Sequence, residues 1–186
     1  MKLLVLAAPS GSGKTTLVRQ LLSKFPSLAF SISATTRMPR LNEKNGLDYH
    51  FLEVQDFQEK INSKCFLEWE EVYPDKFYGS LKSDVQELWD QKKTVVFDID
   101  VQGGMRLKKK YGDNTLAIFI MPPSIEALKS RLQNRGTDSE KTINNRLAKA
   151  KEEMSFSSYF DHVIVNDKIK VAIAELDKLV QDFINS

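Results

Sequence analysis

The segment Ala8-Pro9-Ser10-Gly11-Ser12-Gly13-Lys14-Thr15 follows the phosphate-binding pattern G-x-x-x-x-G-K-[ST] at every defined position except the first, where alanine replaces glycine. Its chemistry is anion capture. Gly11 and Gly13 let the main chain come close to phosphate oxygens, and N–H groups of the loop and of a helix beginning near Thr16 converge on them. Lys14 then reaches the β/γ region of a nucleotide and Thr15 offers a hydroxyl to Mg²⁺. Ala8 is tolerated if its φ is negative, whereas a left-handed position would strain it. The alternative, a glycine-rich turn with a chance lysine, is opposed by the flanking elements. Leu3 to Ala7 has the length of a buried strand, and Leu17, Val18, Leu21 and Leu22 mark one face of a helix over Thr16 to Phe25.

A second pair of groups lies in Val95-Val96-Phe97-Asp98-Ile99-Asp100, where two carboxylates two residues apart share one strand face. Ligands of open α/β sheets bind beyond the carboxyl ends of the strands, which brings Asp98 and Asp100 towards Lys14. Asp98 then either holds Mg²⁺ through water or orients Lys14; an aspartate at a strand end serves equally well as a helix cap. These residues describe a nucleotide-phosphate binder, a class that spans kinases, GTPases, ATPase motors and non-catalytic modules. Between Ser33 and Glu43, Arg37 and Arg40 flank Pro39, so the segment is no regular helix and two guanidinium forks are free to converge on phosphate. Tyr49 and Tyr78 add phenolic donors. Glu68 does not suit a phosphate site, but its carboxylate suits guanine, whose N1–H and exocyclic amine form an adjacent donor pair that adenine lacks. Taken singly, each of these reads equally well as a surface charge or a core aromatic.

The elements that must hold these groups are those of one domain. The chain has 186 residues with 27 Lys and Arg against 25 Asp and Glu, a net charge of +2 that argues against a dedicated nucleic-acid binder. One cysteine excludes an internal disulfide and fits a reducing, cytoplasmic setting. No apolar run reaches the ~18–20 residues that cross a bilayer, and Met1 to Ala8 reads as a buried first strand rather than a leader. Charge-free runs at Leu3 to Ala7, Leu28 to Ile32, Thr94 to Phe97, Leu116 to Ile120 and Val163 to Val165 supply five strands of a parallel α/β sheet. Alternating aromatic strands around Tyr49 to Leu52 and Phe66 to Trp69 indicate a small antiparallel insertion, with a turn at Asn45-Gly46. The charged helical segment from Ser124 to about Met154, interrupted at Gly136, suits a lid. Lys170 to Ile184 is an amphipathic helix, and Lys108 to Lys110 suit a solvated helix end.

Ser33 to Arg40, Asn45 to Phe51, Phe66 to Trp69, Phe77-Tyr78-Gly79-Ser80 and Asp98 to Gly103 resemble guanylate kinase motifs in order and spacing. The resemblance continues through Pro122-Pro123-Ser124, Arg131 to Arg135, Asn145-Arg146-Leu147 and Val163 to Asp167. It implies a three-layer P-loop kinase with its core in residues 1–32, 82–124 and 155–186, a GMP-binding insertion in 33–81 and a lid in 125–154. It implies transfer of the γ-phosphoryl group of ATP to GMP with Mg²⁺, with dGMP as a further substrate, in a monomer or homodimer. The implied ATP site is Ala8 to Thr16. Arg37, Arg40, Tyr49 and Tyr78 would hold the GMP phosphate, with Glu43 supporting Arg40. Ser33, Glu68, Gly79, Ser80 and Asp100 would surround guanine and ribose, with Asp98 by the phosphates. Lys14, Arg131, Arg135 and Arg146 would stabilise the transferring group, and Asn166 and Asp167 would reach adenine. Departures from the pattern are Ala8, Met38 and Leu41-Asn42. The competing readings are a non-catalytic interaction module of the same fold and a kinase for another phosphorylated acceptor. His50 and His162, on strands, fit packing or surface roles rather than general bases.

Overall fold

The apolar run that opens the chain is the middle strand of a parallel sheet. The computed structural model describes residues 1–134 and 139–186. In chain order the elements are β1 (Lys2–Ala7), α1 (Lys14–Lys24), β2 (Leu28–Phe30), β3 (Ser33–Thr35), β4 (His50–Phe51), α2 (Val54–Asn62), β5 (Phe66–Tyr73) and β6 (Lys76–Leu81). They continue with α3 (Lys82–Asp90), β7 (Thr94–Ile99), α4 (Val101–Tyr111), β8 (Thr115–Met121), α5 (Ile125–Asn134), α6 (Glu140–Ser155), β9 (His162–Val165) and α7 (Ile169–Asn185).

The core sheet has the order β2-β7-β1-β8-β9, with every pair parallel. All five predicted strands are in it. Leu3 to Ala7 are fully buried because both faces of β1 are covered. Leu4 and Leu6 pack with Leu17 and Leu21 of α1 and Leu176 and Val180 of α7. Leu3 and Val5 face Val85 of α3, Leu107 of α4 and the rings of Phe97 and Phe119. Each such side chain contributes about 1.5–3 kcal/mol of burial free energy. The register of Ala7 opposite Ile99 sets the consequence for function. The loop that leaves β1 and the carboxylates that end β7 emerge at the same sheet edge.

The second sheet has the order β4-β3-β6-β5 and is antiparallel except where β4 runs parallel to β3. That pair departs from the predicted antiparallel insertion because the chain between Thr35 and His50 doubles back before β4 begins. Helix α2 was not among the predicted elements, although Val54, Phe57 and Ile61 have helical spacing. Phe57 is fully buried, with its ring centroid 4.3 Å from Phe66 and 5.4 Å from Phe77, so the insertion owns a small aromatic core. Ser80 pairs with Ser33 on one side and Glu68 on the other, which sets three polar side chains in a row across β3, β6 and β5.

Helices α5 and α6 share a separate cluster of Leu128, Leu132, Ile143 and Ala150. A methyl group at Gly11 would meet Leu128 and Leu132 at 3.0 and 3.1 Å, so α5 lies directly on the phosphate-binding loop. The predicted helix break at Gly136 lies outside the described residues. Lys108 to Lys110 end α4 as expected, and Lys108 is committed to structure through Asp161 at 2.9 Å and the Thr115 carbonyl at 2.8 Å. Among the described residues no helix is long and apolar enough to cross a membrane.

Candidate active site

The loop from Ala8 to Gly13 turns sharply out of β1 into α1. Gly11 and Gly13 take positive φ values of 97° and 90°, whereas Ala8 does not, so alanine at the loop's first position is unstrained. The N-terminus of α1 has no side-chain cap, leaving its first N–H groups to a ligand. Lys14 donates to the Ile99 carbonyl at 2.8 Å and forms an ion pair with Asp98. Of the two roles open to Asp98, orienting Lys14 is the one seen. Asp100 caps α4, accepting from the Gly103 N–H at 3.0 Å, and also lines the cavity, so cap and site residue are one.

That cavity, of about 720 Å³, runs from the phosphate loop to the insertion sheet. Of the predicted residues, Ala8 to Thr16, Ser33, Arg37, Arg40, Tyr49, Glu68, Tyr78, Gly79, Asp98, Asp100, Arg131 and Arg146 line it. Ser80 and Glu43 do not: each stands behind a residue that does. Ser80 is fully buried and donates through Oγ to Glu68 Oε1 at 2.7 Å. Glu68 is only 6% exposed; burial pushes its carboxyl up to about 7, against the Ser80 hydrogen bond, and Asp100 adds to the rise. A side chain at Gly103 would come within 2.8 Å of Glu68 Oε2, so this glycine leaves the space the carboxylate occupies.

Glu43 corrects an expectation. Its carboxylate grips Arg37, not the Arg40 side chain, through Nη1–Oε2 at 2.6 Å and Nη2–Oε1 at 2.7 Å. Arg40 meets it only through its main-chain N–H, at 2.8 Å. The loop folds so because the Arg37 guanidinium also lies 4.7 Å from the Tyr49 ring centroid and 5.6 Å from that of Phe51. The hydrogen bonds from Arg37 hold the Glu43 carboxyl down to about 2. Its stabilising contribution is therefore present above the ordinary carboxylate range near 4.5 and lost as pH falls towards 2. Glu43→Gln is expected to raise KM for the phosphorylated acceptor about ten-fold with kcat nearly unchanged, because the guanidinium loses its fixed aim. Steady-state kinetics check this, and an unaltered KM would remove the positioning role.

Asn166 also differs from expectation. Rather than facing an adenine it is buried, donating from Nδ2 to the Ser12 carbonyl at 2.7 Å while its main-chain carbonyl accepts from Arg131 Nη2 at 2.8 Å. It fastens the phosphate loop to the end of β9, and any side chain at Gly13 would collide with it. Asn166→Ala leaves Ser12 O unpaired, at a cost of about 1–3 kcal/mol, and should lower Tm by several degrees while raising KM for ATP. A thermal melt with ATP titration measures both. Asp167 is exposed, and the assignment of Arg135 lies outside the described residues.

Further residues of the cavity wall were not singled out from the sequence: Tyr73 and Lys76 at the β5–β6 hairpin, and Lys149 and Glu153 on α6. Lys149 Nζ sits 5.2 Å over the Tyr73 ring, joining α6 to the hairpin. Arg106 of α4 anchors the same strand, reaching Glu70 at 2.6 Å and the Trp69 carbonyl at 2.9 Å. His50 stands 2.8 Å from Asp84 and does not line the cavity. Among the described residues no cluster of three or more His, Cys, Asp or Glu could hold a metal alone. The hydroxyl of exposed Thr15 and the Asp98 carboxylate are hard oxygen donors that fit Mg²⁺ arriving with phosphate ligands of its own.

In composition this cavity joins the phosphate-loop motif to a buried carboxylate through a ring of arginines and tyrosines. The family model described as guanylate kinase matches residues 1–183. A guanylate kinase of Bacteroides thetaiotaomicron is 50% identical over 184 residues, 99% of this chain and 90% of that protein. One of Porphyromonas gingivalis is 48% identical over 98% of both chains. The crystal structure of guanylate kinase from Anaplasma phagocytophilum superposes with a TM-score of 0.78 at 29% identity, over 97% of this chain and 85% of that one. With a family model spanning the sequence and relatives near half identity across it, the chain belongs to the guanylate kinase family.

Proposed function

We propose that the protein transfers the γ-phosphoryl group of ATP to GMP, giving ADP and GDP, with dGMP as a second acceptor. One observation carries the reading: a single cavity is walled by the phosphate loop and, across the arginines, by a buried carboxylate that suits a base with two adjacent N–H donors. In this reading residues 1–32, 82–124 and 155–186 form the core, 33–81 the GMP-binding part and 125–154 the lid, and the enzyme works in the cytoplasm.

Phosphoryl transfer asks for position and charge neutralisation rather than a covalent catalyst. ATP phosphates occupy the uncapped start of α1, and Lys14 exchanges the Ile99 carbonyl for phosphate oxygens. Arg37 commits three of its five N–H donors to Met38 and Glu43, leaving two for the GMP phosphate. Arg40, Tyr49 and Tyr78 complete that subsite. Glu68, steadied by Ser80, accepts from guanine, with Ser33 and Asp100 beside it. Arg131 and Arg146 bring positive charge over the transferring group, and Arg135 is assigned to the same role. Mg²⁺, held by ATP together with Thr15 and, through water, Asp98, would neutralise charge on the β and γ phosphates. The GMP phosphate is already ionised near neutral pH, so no side-chain base is required.

A coupled ADP-release assay with ATP and Mg²⁺, comparing GMP, dGMP, AMP, CMP and UMP, tests this. Strong selection of GMP and dGMP over an ATP-only background is expected. Equal rates with AMP would overturn the guanine reading, and no acceptor-dependent turnover would overturn the kinase reading. A non-catalytic module would have no use for the Lys14–Asp98 pair and the arginines gathered on one cavity.

A further inference from the structure

Helix α6 presents Arg146, Lys149 and Glu153 on one stripe, at spacings of three, four and seven residues, and all three line the main cavity. The two cations are in place beside phosphates. Glu153 is not: it puts negative charge on the wall of a site for anionic ligands. It shares the cavity wall with Lys14 and Asp100. It senses Lys14, at the phosphate end, and Asp100, at the base end, and burial with the nearby Asp100 keeps its carboxyl up at about 7 despite Lys149. Among the described residues no hydrogen-bond donor or cation within ion-pair distance meets its carboxylate. A half-buried carboxylate without a partner is costly in its charged form, and a donor in the cavity would offset that cost.

A nucleoside monophosphate has few donors to offer. Its phosphate only accepts in the ionised form, and the guanine donor pair faces Glu68. The sugar hydroxyls remain, and they lie between base and phosphate, in the cavity whose wall Glu153 shares with Asp100 at the base end and Lys14 at the phosphate loop. We propose that Glu153 accepts hydrogen bonds from the sugar hydroxyls of the acceptor nucleotide and so helps to determine which sugars the site prefers. Because the residue rides on α6, that contact also ties the helix to the occupied acceptor site. The inference rests on the reading of GMP as acceptor.

The test compares GMP with its 2′-deoxy, 3′-deoxy and 2′,3′-dideoxy analogues at saturating ATP, in the unaltered protein and in Glu153→Gln and Glu153→Ala. For the unaltered protein kcat/KM should fall about ten-fold or more from GMP to the dideoxy analogue, the scale of hydrogen bonding to a charged acceptor. In both variants that penalty should shrink to about two-fold, with GMP itself weakened; the single-deoxy analogues show which hydroxyl carries it. A structural role for Glu153 would lower all four acceptors alike, so an unchanged penalty in both variants overturns the proposal. So does a penalty that instead follows removal of the sugar hydroxyls of ATP. If the unaltered protein phosphorylates no guanine nucleotide, the reading of the acceptor falls, and this proposal with it; normal GMP turnover with an unmoved penalty overturns this proposal alone.

Discussion

Replacing Lys14 by alanine is expected to lower kcat for ATP-dependent phosphorylation of GMP by about 10²- to 10³-fold, the loss seen when one preorganised stabilising donor is removed from a transition state. The structure shows why the effect should fall on turnover rather than on folding. Lys14 Nζ is held at the end of β7 by the Ile99 carbonyl, 2.8 Å away, and by Asp98, with the two side chains 16% and 20% exposed. Asp98 therefore keeps some water when its partner is removed. The stability cost should be about 1 kcal/mol, a fall in Tm of about 2–4 °C for a chain of this size. Arginine should not rescue activity: a planar fork cannot sit where a compact ammonium points along the loop axis. Stopped-flow or coupled kinetics alongside a thermal melt give the two readouts. A kcat within two-fold of the parent protein would remove Lys14 from the chemistry, and a variant that fails to fold would show that the ion pair is structural first.

The parts of this molecule that were legible in its sequence are those decided locally or by period. The charge-free runs of β1, β7 and β8 announce strands buried on both faces, and Leu17, Val18 and Leu21 announce the helix that covers one of them. The phosphate loop is legible because its chemistry is contiguous. What was not legible depends on the chain meeting itself. Nothing in the spacing says that Glu43 will turn to Arg37 six residues away rather than to Arg40 three away; that choice follows from where Tyr49 and Phe51 place their rings. Asn166 reaches Ser12 across 154 residues of chain because β9 returns beside β8 at the same sheet edge as β1. Glu153 is one acidic residue among several charged ones on α6, indistinguishable from a solvated surface position until the helix is docked over the cavity. The helix-cap role considered for Asp98 falls instead to Asp100, which was read only as a site residue and both caps α4 and lines the cavity.

Glu68→Gln should make the empty protein more stable at high pH and the enzyme much less able to choose guanine. Glu68 is 6% exposed and its carboxyl is pushed up to about 7, chiefly by burial. The native state therefore binds this proton more tightly than the unfolded chain, whose value is near 4.5. By linkage, stability falls as pH rises through the window from about 4.5 to 7 and stays reduced above it, a penalty on the order of 3 kcal/mol at pH 8. Glutamine keeps the oxygen that accepts from Ser80 Oγ but cannot ionise, so the penalty disappears. The variant should melt about 6–12 °C above the parent at pH 8 and close to it at pH 5. Function should move the other way. The amide turns one acceptor into a donor facing the guanine N–H pair, and kcat/KM for GMP should fall about 10²-fold or more while the rate with AMP changes little. GMP, by supplying the missing donors, should also favour the ionised carboxylate, so its binding to the parent protein should weaken as pH drops below about 7 and release less heat of association there. Melts at both pH values, with and without GMP, separate the two effects. A variant whose Tm gain is the same at pH 5 and pH 8 would show that packing rather than ionisation governs stability at this position. Retained selectivity for GMP over AMP would place guanine recognition elsewhere in the cavity. The two outcomes together measure how much stability the fold gives up to keep a charged acceptor buried where a base can find it.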